Sequence, residues 1–124
     1  MRLQQLKSAL VLLISSLLMT AASADVTRYP LPNNSTFPIA QAVEVTSGSI
    51  IFLSGATPAP ANADADVGTP AYYGDTKTQA LSTLNRITEN LEGMGLDMGD
   101  VIKLQVFLVG DPANGGNMDF SGFM

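Results

Sequence analysis

The side chains available for chemistry in this chain are limited by two absences. The sequence contains no histidine and no cysteine. It therefore cannot supply a Ser-His-Asp triad, a cysteine nucleophile, or a zinc site built from the usual nitrogen and sulfur ligands. Any catalysis or binding must use serine, threonine, tyrosine, carboxylate, lysine or arginine side chains, or backbone amides.

Two segments contain residues typical of ligand-binding loops, but neither has the full pattern that such a loop requires. Asp64-Ala65-Asp66 lacks the spaced ligand series and the closing glutamate of a calcium loop. The glycine-rich segment from Gly110 to Asn117 is not followed by the Lys-Ser/Thr pair of a phosphate-binding P-loop. The first is predicted to be a solvated loop and the second a flexible connection. We expect neither a metal site nor a cofactor.

The first 24 residues have the composition of a secretory signal peptide. Arg2 and Lys7 give a positive start, an apolar stretch runs from Ala9 to Met19, and the small residues Ala22-Ser23-Ala24 form a cleavage site. The apolar stretch is about 11 residues long, whereas a membrane span needs roughly 20. We therefore expect cleavage after Ala24, a secreted or periplasmic protein, and no membrane attachment after cleavage.

The mature chain is expected to be small and acidic. Residues 25–124 are enough for one domain and too few for two. Removing Arg2 and Lys7 leaves four of the six basic residues against all eleven acidic ones, a formal charge of −7. Such a chain should repel nucleic acid and anionic lipid. Without cysteine cross-links, its fold must depend on packing or on association between chains.

The hydrophobic pattern predicts three strands after an extended lead-in over residues 25–37, which contains at most one short strand. Ala42 to Thr46 and Ile50 to Ser54 flank Ser47-Gly48-Ser49 and predict a β-hairpin. Val101 to Val109 predicts a further strand with both faces covered. The continuous apolar runs favour a partner subunit against one face of the sheet.

The strongest helix signal extends from about Thr76 to Met94. An apolar stripe along it should pack on a sheet, a possible capping box begins at Thr76 with Asp75 just outside, and glycines mark its end. The stripe consists of Leu81, Leu84, Ile87 and Leu91. The glycines at the helix end are Gly93 and Gly95. Residues 57–73, rich in Pro, Ala and Asp, are predicted to be a surface loop.

The last residues predict the start of a second helix. Asp119 suits an N-cap, and the first turn of an amphipathic helix follows it. One turn is unstable alone, so we interpret the chain as truncated.

Three ordered motifs resemble the RidA family, also called the YjgF or L-PSP endoribonuclease family. The family's Pro-aromatic-x-Gln-Ala segment is matched by Pro38 to Ala42, its strand ending in Ser-Gly by Ser54-Gly55, and its Gly-Leu-x-x-x-Asp-Val-x-Lys segment by Gly95 to Lys103. The resemblance covers residues 38–124. It implies an α+β domain with the chorismate-mutase-like fold, a mixed sheet carrying helices on one face, and three subunits joined through the other face.

The resemblance also implies a substrate class and a set of binding residues. Similar proteins deaminate small reactive enamines and imines by adding water, in pockets at subunit interfaces that hold the substrate carboxylate. Ser54 and Gly55 match the Ser-Gly of the pocket wall, where a hydroxyl and a backbone amide could hold a carboxylate or a water. Ile39 falls where the family often has an aromatic residue, and Met124 falls near the usual Asn of the second helix. These four residues are the candidate substrate-binding set.

Departures from the family pattern leave the catalytic residues unknown. Ala56 stands where Gln often follows Ser-Gly, and the family's Pro-Ala-Arg segment and final strand fall after Met124. Without that Arg, which pairs with the substrate carboxylate, the chain ending at Met124 is expected to be inactive. The alternative to an imine or enamine deaminase is a non-catalytic homotrimer that binds a small metabolite. The acidic charge and missing histidines disfavour a nuclease.

Overall fold

A two-stranded antiparallel sheet organises the first part of the chain. The structure, a computed structural model, describes residues 24–124. Strand β1 (Asp25–Tyr29) pairs with strand β2 (Ala42–Ser47), with Tyr29 opposite Ala42 and Asp25 opposite Ser47. Strand β1 is the one short strand that the sequence allows in the lead-in.

The connection between β1 and β2 contains a tight reversal. Residues Pro32–Asn34 form a short 3-10 helix in which Asn33 and Asn34 have φ angles of 58° and 52°. Asparagine tolerates this left-handed region better than most residues do. Beyond the reversal, the Gln41 N–H donates to the Tyr29 carbonyl at 2.8 Å and closes the end of the sheet. The antiparallel pair β1–β2 is therefore joined by a long connection, residues 30–41.

The predicted pairing of Ala42–Thr46 with Ile50–Ser54 is wrong. The partner of β2 is β1, and residues 50–54 belong to no strand. Gly48 has φ +99°, and a Cβ added there would lie 2.8 Å from the Cβ of Ala24. The turn after β2 thus lies directly against the residue before β1 and does not return the chain along β2.

Residues 57–73 end in a helical turn, α1 (Pro70–Tyr73). The Thr69 side chain caps it by accepting the Tyr72 N–H at 3.3 Å. The Tyr72 carbonyl accepts the N–H groups of Ala61 and Asn62 at 2.8 and 3.1 Å. The segment predicted as a surface loop is thus closed by its own backbone.

The predicted long helix is confirmed as α2 (Thr76–Glu92). Its N-cap is Asp75, whose carboxylate accepts the Thr78 N–H at 2.8 Å, so the cap lies one residue before the predicted Thr76. At the other end, Gly95 has φ +75°, its N–H donates to Glu92, and the Leu96 N–H donates to Leu91. This pair of bonds is a Schellman motif, which satisfies the last carbonyls of a helix.

The third predicted strand, Val101–Val109, is also wrong. After a short 3-10 helix at Met98–Asp100, residues 101–110 form neither helix nor strand. A strand requires a hydrogen-bonded neighbour, and within residues 24–124 the backbone of residues 102–109 makes no backbone hydrogen bond. The predicted mixed sheet is therefore replaced, in the described residues, by the single antiparallel pair β1–β2.

The glycine-rich segment forms a closed turn, and a short helix follows it. The Asp111 N–H donates to the Asn117 carbonyl at 2.9 Å, and Pro112–Asn114 form a 3-10 helix inside the turn. Helix α3 (Phe120–Phe123) then begins at the predicted N-cap, Asp119, whose side chain accepts the Gly122 N–H at 2.9 Å.

Helices α2 and α3 contact each other near the start of α2. A Cβ placed on Gly122 would lie 3.3 Å from the Cβ of Thr76, so glycine permits this approach. The rings of Phe120 and Phe123 are 6.4 Å apart. The last turn of the chain therefore has a neighbour to pack against.

The chain is a small α+β protein whose contacts divide it into two units at Ile51/Phe52. The sheet lies in the first unit and the three α-helices in the second. Among residues 24–124, Leu91 on α2 is the one buried hydrophobic residue, at 3% exposure. No helix in this part of the chain is long and apolar enough to cross a membrane. The predicted signal peptide lies outside the described residues, apart from Ala24.

Candidate functional site

Ser54 and Gly55 lie at the end of an exposed apolar run. The run, Ile50–Leu53, includes Phe52, which is 90% exposed. Ser54 and Gly55 are themselves exposed, and a Cβ built on Gly55 would have no atom within 4 Å. No hydrogen bond within residues 24–124 engages the Ser54 hydroxyl. The Ser54 hydroxyl and Gly55 are therefore accessible to a ligand, but the described residues do not form an enclosed pocket around them.

The other two predicted binding residues are also exposed. Ile39 belongs to the first unit, between the 3-10 helix and β2, and is 59% exposed. Met124 follows α3 in the second unit and is 54% exposed. The resemblance implies that such pockets form between subunits, and Ile39 and Met124 stay predicted residues of such a pocket.

The segment just after Ser54-Gly55 is attached to helix α2. Arg86 donates through Nη1 to the Thr57 carbonyl at 2.6 Å, and the Ala59 N–H donates to the Ser82 hydroxyl at 2.9 Å. Ser82 and Arg86 are four residues apart and so lie on one face of the helix. The two bonds hold the chain downstream of Gly55 along that face.

Arg86 places a cation against the segment that follows the candidate site. It contacts Thr57, which lies only three residues beyond Ser54. Within residues 24–124 no carboxylate forms an ion pair with Arg86, and a guanidinium has five N–H donors. Several donors thus remain for a carboxylate ligand. The sequence pattern places Arg86 on the polar side of the helix, and no motif indicates its contact with Thr57.

Five of the eleven carboxylates serve local turns. Four aspartates accept backbone N–H groups two or three residues further along the chain, and Asp100 completes a capping box with Asp97. These four are Asp75, Asp97, Asp111 and Asp119. Each is already engaged by the backbone it caps, so none is a strong candidate for a general acid or base.

Asp75 shows the electrostatic effect of such a cap. The side-chain and backbone hydrogen bonds from Thr78 lower the pKa of the Asp75 carboxyl, and nearby Lys77 acts in the same direction. Bonds to an ionised carboxylate favour its charged form. Asp75 is therefore a stable anion that holds the helix start, and it is not a proton donor at neutral pH.

Tyr29 and Glu44 form a short polar contact between the two strands. The Tyr29 hydroxyl donates to Glu44 Oε2 at 2.6 Å, and this bond is the main reason that the pKa of Tyr29 is raised. Thr27 lies opposite Glu44, so Tyr29 reaches Glu44 diagonally across the ladder. Both side chains are exposed, and the pair joins the two strands.

Among residues 24–124, no group of three or more acidic side chains has an arrangement that could hold a metal ion. In the loop of residues 57–73, the Asn62 side chain accepts the Asp64 N–H at 3.1 Å, which makes a local turn. The carboxylates of Asp64 and Asp66 do not converge with a third one there.

No protein-family model matches the chain, and no curated protein matches it. The RidA resemblance therefore depends on the three motifs from Pro38 to Lys103.

Proposed function

We propose that the chain is an exported RidA-like protein that acts on a small imine or enamine bearing a carboxylate. The observation that carries this proposal is the order of three motifs along one acidic chain, Pro38–Ala42, Ser54-Gly55 and Gly95–Lys103. Export is proposed from the predicted signal peptide. The chain has the α+β class, and the finer chorismate-mutase-like fold is part of the proposal.

The proposed reaction is a hydrolysis. Water adds to the carbon of the C=N bond, the nitrogen gains a proton, and the resulting carbinolamine releases ammonia to leave a carbonyl compound. The chain has no histidine to move these protons. Ser54 would position the water or the substrate by hydrogen bonding, and the proton exchange would proceed through solvent. No residue of this chain is assigned as a catalytic acid or base.

The proposed carboxylate site combines Ser54, Gly55 and Arg86. A hydroxyl, a backbone amide and a guanidinium suit a carboxylate, and charge-assisted bonds to it are stronger than neutral ones. Arg86 supports the proposal because it binds the carbonyl of Thr57, three residues along the chain from Ser54. It could supply part of the charge that the family's later Arg supplies.

The proposed assembly is a homotrimer. The apolar runs Ile50–Leu53 and Val101–Val109 contain side chains that are almost fully exposed. These are Phe52, Phe107 and Val109, at 90%, 84% and 87% exposure. Large apolar patches on a protein surface mark places where another molecule binds. Further copies of the chain are the partner that the resemblance implies.

The alternative proposal is a trimer that binds a small metabolite without converting it. It is favoured by the family departures at Ile39, Ala56 and Met124, which would change the pocket wall. Export away from cytoplasmic amino-acid metabolism favours it as well.

An imine-hydrolysis assay separates the two proposals. A 2-imino acid is generated in solution by an amino-acid oxidase, and keto-acid formation is compared with and without protein. The assay uses residues 25–124 and the product of the coding sequence read past Met124. If that sequence encodes a Pro-Ala-Arg segment, we expect acceleration by the longer product and little by residues 25–124.

Two variants test the site, and a third serves as a control. Ser54→Ala and Arg86→Gln should weaken carboxylate binding, each by roughly tenfold for a lost hydrogen bond to a charged group. Lys77→Gln removes an exposed cation from the same helix and should leave carboxylate binding unchanged. Saturable binding of a keto acid without catalysis would select the alternative proposal. If the longer product neither binds the keto acid nor accelerates the hydrolysis, both proposals are contradicted.

A further inference from the structure

The turn between Asp111 and Asn117 contains an asparagine followed by a glycine. Asn114 and Gly115 lie at its tip, and both are exposed. Glycine has no Cβ, so the backbone nitrogen that follows Asn114 is not shielded by a side chain. An exposed Asn-Gly pair is therefore suited to attack of that nitrogen on the asparagine side chain.

The attacking nitrogen is also unengaged. The N–H groups on either side of it, those of Asn114 and Gly116, both donate to the Asp111 carbonyl at 2.9 Å. Within residues 24–124, no hydrogen bond engages the Gly115 N–H. The turn thus holds its neighbours in place and leaves this one nitrogen available.

The side chain of Asn114 is held only weakly. Its amide nitrogen donates to the Met118 carbonyl at 3.4 Å, which is long for such a bond. Losing this bond costs little, and solvent can replace it at an exposed site. The side-chain carbon is therefore free to approach the Gly115 nitrogen.

We propose that Asn114 is a site of spontaneous deamidation in this protein. The Gly115 nitrogen loses its proton to solvent and bonds to Cγ of Asn114, and the Cγ–Nδ2 bond breaks as ammonia leaves. This forms a five-membered succinimide. Water then opens the ring at either carbonyl carbon and leaves aspartate or isoaspartate. The net change is the exchange of an amide for a carboxylate, with solvent water as the only co-reactant.

The modification should open the turn that produces it. A carboxylate at position 114 has no donor for the Met118 carbonyl, and isoaspartate adds a backbone carbon between Asp111 and Asn117. Asn117 donates twice to the Asn114 carbonyl, from its backbone and its side chain, both at 3.2 Å. These bonds fix the turn, so displacing that carbonyl should weaken the Asp111–Asn117 bridge.

Asn62 provides a comparison within the same chain. It too is exposed, but alanine follows it, and its side-chain oxygen accepts the Asp64 N–H at 3.1 Å. The Cβ of Ala63 hinders the attacking nitrogen, and the hydrogen bond holds the side chain turned toward Asp64. Asn62 should deamidate more slowly than Asn114.

The test is a peptide map of the purified chain after incubation at neutral and mildly alkaline pH. We expect the peptide containing Asn114 to gain about 1 Da, to do so faster as the pH rises, and to outpace the Asn62 peptide. The Asp111 N–H should then exchange with deuterium faster in aged protein than in fresh protein. Equal rates at Asn114 and Asn62, or no change at Asn114, would overturn the proposal.

Two glycine variants separate the chemistry from simple disruption of the turn. Gly115→Ala should slow deamidation by roughly tenfold or more, because it places a Cβ beside the attacking nitrogen. Gly116→Ala strains the same turn, since Gly116 has φ +81°, but it leaves the Asn-Gly pair intact. Its rate should stay at or above that of the unmodified chain. Equal slowing by both variants would contradict the assigned mechanism.

Discussion

At the scale of single residues, the Tyr29–Glu44 pair makes a testable statement about pH. The hydrogen bond to Glu44 raises the pKa of Tyr29 because it favours the protonated phenol beside a carboxylate. The stability that the bond contributes is therefore present below the ordinary tyrosine pKa and is lost as the pH rises through the raised value. We expect Glu44→Ala to shift the Tyr29 titration to lower pH.

The measurement needs a chain in which Tyr29 titrates alone. The sequence has three tyrosines, so Tyr72→Phe and Tyr73→Phe leave only Tyr29 to absorb as tyrosinate. Glu44→Gln keeps an acceptor but removes the charge, and should give a midpoint between the other two. Identical midpoints in the parent and in Glu44→Ala would show that the bond does not form in solution.

Local residue roles can be predicted from the sequence, whereas cross-strand roles cannot. Asp119 is identifiable as an N-cap because a cap and its helix are adjacent in sequence. The Tyr29–Glu44 bond depends on which strands pair and in which register. Since the sequence pattern pairs Ala42–Thr46 with the wrong segment, it gives no reason to expect a contact of Glu44 with Tyr29.

At the scale of elements, the two glycines after helix α2 should respond oppositely to alanine. Gly95 has φ +75°, and a left-handed alanine there should destabilise the chain by about 1–2 kcal/mol. Gly93 is right-handed, at φ −61°, and the nearest atom to an added Cβ is 3.5 Å away. Gly93→Ala should therefore be neutral or stabilise by roughly 0.4–1 kcal/mol, by restricting the unfolded chain.

Unfolding in urea, followed by helical circular dichroism, measures both changes. Each variant is the control for the other, because they differ by two positions and make the same chemical change. Space around Gly95 does not confound the comparison, since an added Cβ there meets no atom within 4 Å. Equal effects of the two variants would mean that the Schellman motif is not formed.

The elements differ in how far sequence can define them. The signals of α2, an apolar stripe with a cap before it and glycines after it, all lie within one segment. The runs at Ile50–Leu53 and Val101–Val109 have strong β propensity, but propensity does not provide a hydrogen-bonding neighbour. Their prediction as strands is wrong because no segment among the described residues pairs with them.

At the scale of the whole molecule, composition alone excludes the histidine- and cysteine-based chemistries. The candidate site is only partly predictable from sequence. Ser54 and Gly55 are identified through the resemblance, whereas Arg86 binds the segment just after them, at Thr57, through a contact between a loop and a helix face. Such a contact depends on the path of the loop, and no local pattern encodes it.

The exposed apolar runs lead to the last prediction, that residues 25–124 self-associate. Phe52 and Phe107 are 90% and 84% exposed within runs whose backbones belong to no sheet. Unpaired backbone beside apolar side chains promotes pairing between chains. The double variant Phe52→Glu and Phe107→Glu should remain smaller and more soluble in light scattering. A charge within each run hinders such pairing.

A second double variant controls for added charge alone. Val67→Glu and Leu81→Glu replace residues that are 75% and 54% exposed, but these lie in the loop before α1 and on helix α2, outside both apolar runs. The two double variants have the same net charge, so only the position of the substitutions differs. Association should persist in the control, because the unpaired runs stay intact. Monodisperse, cooperatively unfolding monomers of the unmodified chain would contradict the prediction and would mean that one chain covers these runs by itself.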